Sequence, residues 1–387
     1  MQDTLQHFSD KIRHATQTGQ ALRLRGGGTK DFLGQSLQGE VLDTTDYAGI
    51  LSYEPSELVI TVRAGTPLAE VETALAEQGQ CFAFEPPHFG VGTTVGGMLA
   101  AGLSGPARAS VGSVRDFVLG ARVINGKGEH LTFGGQVMKN VAGYDVSRLL
   151  AGSWGQLGLI TEVSLKVLPT APGEATLMCA GVSQAQALTL LNQWGGQPLP
   201  LNASAWVHDT HASPAQDYLF VRLRGAVAAV EAAVIQMSAT VQALGAHVTR
   251  MDNAQAGADW HASGEQTLDF FTPPDEQACL WRLSVPQTAP VLDVRVNGQR
   301  CAQYIEWHGA QRWLWAPASV ASQVRDAATT VGGHATLFRT SLASRQTLGD
   351  VDKQVGVYTP LNAVQQRIQN ELKKQFDAAG IFNPGRA

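Results

Sequence analysis

The sequence predicts an α+β protein of two unlike parts, and three observations carry that expectation. Strand and helix patterns alternate over the first 170 residues. The texture changes after Pro169 and Pro172. Residues 173–252 then read strand, helix, strand, strand, helix, strand, which is the ferredoxin-like order. A length of 387 residues fits two or three domains and a large core.

The elements follow in chain order. Leu5, Phe8, Ile12 and Ala15 recur at helical spacing over residues 3–18. "ALRL" is a short strand that leads into "RGGGTK" (25–30), and "LVITVRAG" (58–65) is a β-branched strand. "TPLAEVETALAEQG" has Thr66 as N-cap, Pro67 in the first helical position and Gly79 as stop. "TTVGGMLAAGL" (93–103) is a loop that enters a short helix. "FVLGARVINGKGEHLTF" (117–133) is a hairpin around Gly-Lys-Gly, and "LITEVSLKVLP" (159–169) is a strand ended by Pro169. Beyond it, "SQAQALTLLNQW" and "AVAAVEAAVIQMSATVQAL" are helices and "DYLFVRLRG" is a strand. Residues 253–278 are polar and loop-like. "CLWRLSVP" and "QRWLWAP" are strands, "ASVASQVRDAATTVGG" is a short helix, and residues 359–380 form a long amphipathic helix. No repeat of 20–50 residues is visible.

Composition narrows the function classes. The net charge is −5 and no Lys/Arg run occurs, which argues against nucleic acid. The N-terminal stretch has no apolar h-region, and no apolar run is long enough to cross a bilayer, so a cytoplasmic protein is expected. Cys81, Cys179, Cys279 and Cys301 share no C-x-x-C spacing. They read as reduced thiols, and a zinc site or iron–sulfur cluster held by this chain alone is not expected.

The glycine runs carry the chemistry. Successive backbone N–H groups in a glycine-rich turn can converge on one anion, because no side chain blocks the approach. One such run alone is better read as a tight turn. Here "RGGGT" is followed by "GVGTTVGG" (90–97), "GLSGPARASVG" (102–112) and "AGSWGQLGLIT" (151–161), each beside an expected strand. Four segments suit an extended ligand with several phosphates. None fits a P-loop, and none fits the dinucleotide fingerprint of a strand–turn–helix unit.

The ordered motifs "RGGGTK", "VGTTVGGMLAAG", "VGSVRDFVLGARVINGKGE", "NVAGYDVSRLLAGSWGQLGLITEVSLKVLP" and "FDAAGIFNPGR" resemble the FAD-binding domain of the vanillyl-alcohol-oxidase (PCMH) type. That group includes D-lactate and glycolate dehydrogenases. "FGGQVMKNVAGYDVSRL", "EPPHFG" and "GGHATLF" are most similar to the subunit-E family of bacterial glycolate oxidases. The resemblance implies a two-lobed PCMH-type FAD-binding domain at 1–170 and a cap at 171–345 with a ferredoxin-like part. It also implies a helix and tail at 346–387 that return to the first domain. It implies FAD, a larger FAD subunit and an iron–sulfur subunit as partners, glycolate as the substrate of the complex, and contact with the inner membrane only peripherally, through those partners.

By the same resemblance, Arg25, Gly26, Gly27, Gly28, Thr29 and Lys30 surround the FAD pyrophosphate, and a side chain at Gly27 is expected to block its approach and to forbid a positive φ there. Thr94, Val95, Gly96 and Gly97 form a second phosphate-side segment, and Ser104, Gly105, Gly112, Ser113 and Asp116 line the next. Gly158 and Ile160 present backbone to the adenine-ribose end, and Asn383 and Arg386 close the site near the flavin. Some relatives attach FAD through a histidine in the first loop. Here that stretch is Gly28-Thr29-Lys30, which implies non-covalent FAD. Where relatives often carry an acid, this chain has Trp154.

Oxidising a 2-hydroxy acid needs a hydride acceptor, a base and a cation for the carboxylate. The clustered histidine motif of catalytic relatives is absent. His334, His308 and His88 remain as candidate bases, and Arg312 and Arg339 as carboxylate clamps. Each is more often a packed or hydrogen-bonded side chain. Met138 and Lys139 read as local packing and surface, and Lys373 and Lys374 as a solvated helix face. Three readings stay open: an FAD-bearing subunit of a glycolate dehydrogenase, a self-sufficient FAD-dependent 2-hydroxy acid dehydrogenase, and a non-catalytic flavoprotein-like scaffold. The intact glycine segments favour the first two, and the missing histidine cluster favours the first.

Overall fold

The computed structural model describes residues 2–135, 145–210, 213–346 and 350–386. Met138 and Lys139 lie outside them. The chain divides into two compact units: Met1–Ser104 with Gly112–Thr170 and Pro360–Ala387, and Gly105–Val111 with Ala171–Thr359. The first unit takes up the chain again at Pro360, later than the expected 346, because the strand His334–Arg339 and the segment to Thr359 stay hydrogen-bonded within the second unit.

In the first unit, the helix Gln2–Thr18 buries Phe8, Ile12 and Ala15 against Leu22, Ile124 and Phe382. Strand β1 (Leu22–Arg25) pairs in parallel with β2 (Glu40–Asp43). The remaining strands are β3 (Ile50–Glu54), β4 (Val59–Arg63), β5 (Gln80–Cys81), β6 (Val118–Ile124), β7 (His130–Gly134), β8 (Leu159–Lys166) and β9 (Leu168–Pro169). Five of them form an antiparallel sheet in the order β3-β4-β8-β6-β7, while β5 pairs with β9. The central β8 is buried along nearly its whole length, as a strand paired on both sides and covered on both faces must be. Thr66 is not the N-cap expected of it. The helix runs Leu68–Ala76 with Pro67 at its cap, and the Thr66 hydroxyl instead donates to the carbonyl of Arg63 at 2.7 Å.

The second unit is built on one eight-stranded antiparallel sheet. Its strands are β10 (Gly173–Ala180), β11 (Leu201–Asp209), β12 (Gln216–Gly225), β13 (His247–Arg250), β14 (Cys279–Ser284), β17 (Gln303–Glu306), β18 (Gln311–Ala316) and β19 (His334–Arg339). A small hairpin, β15 (Arg295–Val296) with β16 (Gln299–Arg300), stands apart. The order β13-β10-β12-β11 is the ferredoxin-like one, with helices Gln184–Gly195 and Val227–Gln242 as its crossovers. The order continues as β17-β18-β14-β19, the mirror image of the same arrangement. Only one crossover helix, Ala321–Thr329, is present in that half. Residues 285–302, which contain Pro286 and Pro290, carry the hairpin in place of the other. The halves join where β11 pairs with β17.

One face of this sheet and its helices enclose the core, which includes Leu177, Trp206, Trp281, Leu283 and Leu337. Residues 253–278 are not all loop: Asn253–Glu265 is a helix, capped by Asp252, whose carboxylate accepts from the amides of Ala254 and Gln255. Two glycines and sparse apolar spacing hide it in the sequence, and Trp260 is its buried anchor.

The turn between β17 and β18 holds Trp307 and His308, both in the left-handed region at φ 52° and 55°. The Trp307 indole N–H donates to the Gly105 carbonyl at 3.0 Å, and the Arg108 guanidinium lies 4.5 Å from the centre of its ring. The His308 ring sits between Ser204 Oγ at Nδ1 and Ser110 Oγ at Nε2, each at 2.9 Å. Ser110 Oγ donates to the carbonyl of Leu201, so it accepts from Nε2–H, and Nδ1 is then the acceptor from Ser204. Burial pushes His308 down to about 4. The unfolded chain therefore takes up a proton near pH 6.5 that the folded chain refuses until about pH 4, and stability present above that window is lost as pH falls through it. The loss is on the order of 3 kcal/mol. Thermal midpoints measured from pH 7.5 to 4 should fall more steeply for the wild type than for His308→Gln. Equal slopes would contradict this assignment.

Candidate functional site

The C-terminal end of β1, the loop that follows it and the residues before the helix Val95–Ala101 enclose an open cleft in the first unit. Its empty space is about 800 Å³. The loop after β1 spans Gly26 to Lys30. The backbone amides of Gly26, Gly27, Gly28 and Thr29 bond to no acceptor among the described residues. Four consecutive N–H groups without a described acceptor, at the wall of a cleft, are chemically able to hold an anion.

The glycines are required by protein contacts as well. A Cβ on Gly27 would lie 1.8 Å from the carbonyl oxygen of Gly92, and one on Gly26 would lie 2.3 Å from Thr94 Oγ1. The positive φ belongs to Gly28, at +71°, and not to Gly27. The two loops are also stitched by side chains. Thr93 Oγ1 donates to the His88 carbonyl at 2.6 Å and meets Thr29 Oγ1 at 2.7 Å. Lys30 Nζ donates to the same His88 carbonyl at 3.1 Å and lies 5.6 Å from the centre of the Phe89 ring.

The second segment gives less free backbone than expected. The amide of Val95 bonds to Thr66 O and that of Gly96 to Ala64 O, while Thr94 Oγ1 caps the helix from Gly97 N. Thr94, Gly96 and Gly97 still line the cleft; the Val95 side chain is fully buried in the core. Gly158 and Ile160 also line it, with Leu159 between them.

The tail closes the same cleft. Asn383 Oδ1 accepts from the amide of Leu24 at 2.9 Å, and its Nδ2 donates to the Trp154 carbonyl at 2.6 Å. The Arg386 guanidinium donates to the carbonyls of Gln35 and Lys30 and lies 5.3 Å from the centre of the Trp154 ring. Arg386 therefore pins three pieces of chain. Arg25 shares Asp31 with Arg23, so the cleft holds three cations against one carboxylate. Thr93, Asp31 and Trp154 are lining residues that the sequence reading did not select. The adjacency of Thr93 to Thr94 was the available signal.

Ser104, Gly105, Gly112, Ser113 and Asp116 do not line this cleft. Ser113 N–H and Oγ–H both bond Asp116 Oδ2, which makes a helix cap, and Ser104 Oγ accepts from the amide of Val114. Gly105 belongs to the other unit, where its carbonyl receives Trp307.

The candidates for acid–base and carboxylate chemistry lie elsewhere. His88 Nε2 is 2.9 Å from Glu72 Oε2, and His88 braces the loops through its carbonyl. The His308 ring has both nitrogens occupied. Arg312 is no clamp. It is fully buried and donates to the carbonyls of Gly309 and Ala289, at 2.6 and 3.0 Å. Arg339 donates to Gln266 Oε1. His334 opens β19; burial and the charge of Arg282 lower its pKa, and no carboxylate orients it among the described residues. No three His, Cys, Asp or Glu side chains gather as metal ligands among the described residues.

The family described as FAD binding domain matches residues 3–134. Over 384 residues the chain is 41% identical to the glycolate oxidase subunit GlcE of Escherichia coli strain K12, covering 99% of this chain and 97% of that protein. The chain belongs to the GlcE family. It is also 32% identical to glycolate oxidase subunit GlcD of Bacillus subtilis strain 168, over 33% of this chain and 27% of that one. A solved alkyldihydroxyacetonephosphate synthase shares the fold with a TM-score of 0.68 at 14% identity, over 97% of this chain and 73% of that one. The cleft fits the diphosphate of FAD on its own chemistry: unsatisfied amides, surplus positive charge, and apolar walls such as Leu24, Ala100 and Leu159.

Gly27→Val places two methyls and a Cβ into the Gly92 carbonyl, so the loops must part and the row of amides is lost. Flavin retention after gel filtration should vanish and the thermal midpoint should drop. A variant that keeps stoichiometric flavin would show that this loop is not the cradle.

Proposed function

We propose that this chain is the FAD-bearing subunit of a glycolate dehydrogenase (glycolate oxidase) complex, acting beside a larger FAD subunit and an iron–sulfur subunit in electron transfer or support. The observation that carries the reading is the row of unsatisfied amides from Gly26 to Thr29 in the cleft of a GlcE-family chain. Bound FAD would supply a hydride or electron acceptor. The amides of that row and the charges of Arg25 and Lys30 neutralise the diphosphate. Thr94, Gly96 and Gly97 face it from the second loop, and Gly158 and Ile160 lie along the nucleotide end. Asn383 and Arg386 hold β1, the first loop and the Trp154 segment in register and so set the width of the cleft. Attachment is non-covalent, because the first loop offers no histidine, cysteine or tyrosine. Any association with the inner membrane runs through partners. No helix among the described residues is long and apolar enough to cross a bilayer.

The purified chain should be yellow, and acid precipitation should leave its FAD in the supernatant, read by chromatography. Flavin that pellets with the protein would establish a covalent bond.

Substrate oxidation by this chain alone should be slow. A positioned base contributes roughly 10²–10⁴-fold, and His88 Nε2 is paired with Glu72, both ring nitrogens of His308 are engaged, and His334 faces a cation. Anaerobic stopped-flow mixing with glycolate should bleach this flavin slowly, and at a catalytic rate only when the partner subunits are added. Full bleaching of the isolated chain at a turnover-competent rate would favour the self-sufficient dehydrogenase.

A further inference from the structure

The helix Ala363–Phe376 belongs to the first unit, yet none of its side chains is buried. Its C-terminal end is tied down. The Phe376 ring meets that of Phe133 edge-on, with the centres 6.0 Å apart, and the Gly126 amide donates to the Phe376 carbonyl at 2.8 Å. Just beyond, the Asp377 carboxylate accepts from the amides of Ile381 and Phe382. The other end is bare on every side: all residues from Leu361 to Ile368 are exposed. It is nonetheless a well-made helix start. Asn362 Oδ1 accepts from the amides of Val364 and Gln365, and Gln365 Oε1 accepts from the amide of Asn362. Most helical stability in proteins comes from packing an amphipathic face. Val364, Ile368 and Leu372 recur at steps of four and form such a face, with Leu361 just ahead of the cap. Leu361, Val364 and Ile368 are 45%, 58% and 61% exposed, so that face is uncovered over its first half.

We propose that this helix is a docking element, whose exposed part from Leu361 to Leu372 seats in an apolar groove edged by Asp and Glu side chains on a different chain of the complex. The inference rests on the subunit reading above and goes beyond it by naming the surface that meets a partner. Three arguments choose the occupant. A helix end bare on every side suits a groove that encloses it, and recognition of that kind reads anchors three and four residues apart. A copy of this chain laid flat on the stripe would cover on the order of 300 Å² a side, well short of the roughly 800 Å² of a stable interface. The helix carries Arg367, Lys373 and Lys374 against the single acid Glu371, which calls for carboxylates across the interface. A lipid surface fits less well. No aromatic residue lies between Leu361 and Gln375, and Gln366 and Asn370 form the centre of the polar side.

The test is co-expression of the full chain with the larger flavin subunit and the iron–sulfur subunit, purification through a tag on this chain, and measurement of the Kd of the complex. Val364→Gln combined with Ile368→Gln removes two anchors at exposed positions where glutamine is the better helix former. Circular dichroism and flavin content should match wild type, while the Kd should rise about tenfold or more. Arg367→Glu combined with Lys374→Glu should also weaken assembly and flatten its dependence on salt. A photo-reactive side chain in place of Ile368 should couple to apolar residues of one partner subunit that have Asp or Glu beside them. Wild-type affinity in the folded glutamine variant overturns the docking helix and leaves the subunit reading standing. Should that variant lose helix content, the charge reversal decides, and an unchanged Kd overturns the proposal. Wild-type chain that assembles with neither partner overturns the subunit reading and the docking helix with it. Two other outcomes overturn the helix alone: coupling from position 368 to a second copy of this chain, and sedimentation with phosphatidylcholine–phosphatidylglycerol vesicles that the glutamine variant loses.

Discussion

The backbone of Gly27 and the carbonyl of Gly92 lie so close that no side chain fits between them. Much of the first unit depends on that approach. It brings Thr29 to Thr93 and lets Lys30 reach the His88 carbonyl. With the two loops locked, four amides of the first have no acceptor among the described residues. An unsatisfied amide at a wall is costly, and a diphosphate relieves several at once. The glycines therefore act twice: they allow the loops to meet, and the meeting leaves the amides exposed to a ligand.

Part of this was legible in the sequence. Three of the four glycine runs, with Thr94 and the distant Asn383 and Arg386, are picked out by motif and line one cleft, while the run at 102–112 does not. Which backbone amides remain free was not legible, because it depends on pairings such as Val95 to Thr66 that link separate segments. Ser113 and Asp116 looked like ligand contacts because a helix cap and an anion site draw on the same residue types. The second half of the large sheet was hidden for a related reason. Its missing crossover helix removed the strand–helix alternation by which the first half was read.

The second unit shows how little residue type says about role. Arg312 and Arg282 sit on adjacent strands of one sheet. Arg312 points into the core, where backbone carbonyls at the ends of loops absorb its donors. Arg282 points the other way and lies against the Phe338 ring, with the charge of Arg108 acting on it. Strand parity separates an arginine whose donors the backbone absorbs from one that lies against an aromatic ring, and parity becomes certain only when the register is known.

The tail has a consequence for how the protein is made. Leu22 and Leu24 leave the ribosome well before their partners Ile381, Phe382 and Asn383; Leu24 and Asn383 are 359 residues apart. At 5–20 residues per second the interval is roughly 20–70 s. Throughout that time β1 has one unsatisfied edge, and the loop that follows it lacks the Arg386 clamp. The second unit, by contrast, has every one of its strands by Thr359. The cleft therefore cannot be completed until Asn383 and Arg386 have been made, so its ligand can be held in full only after both units have been translated.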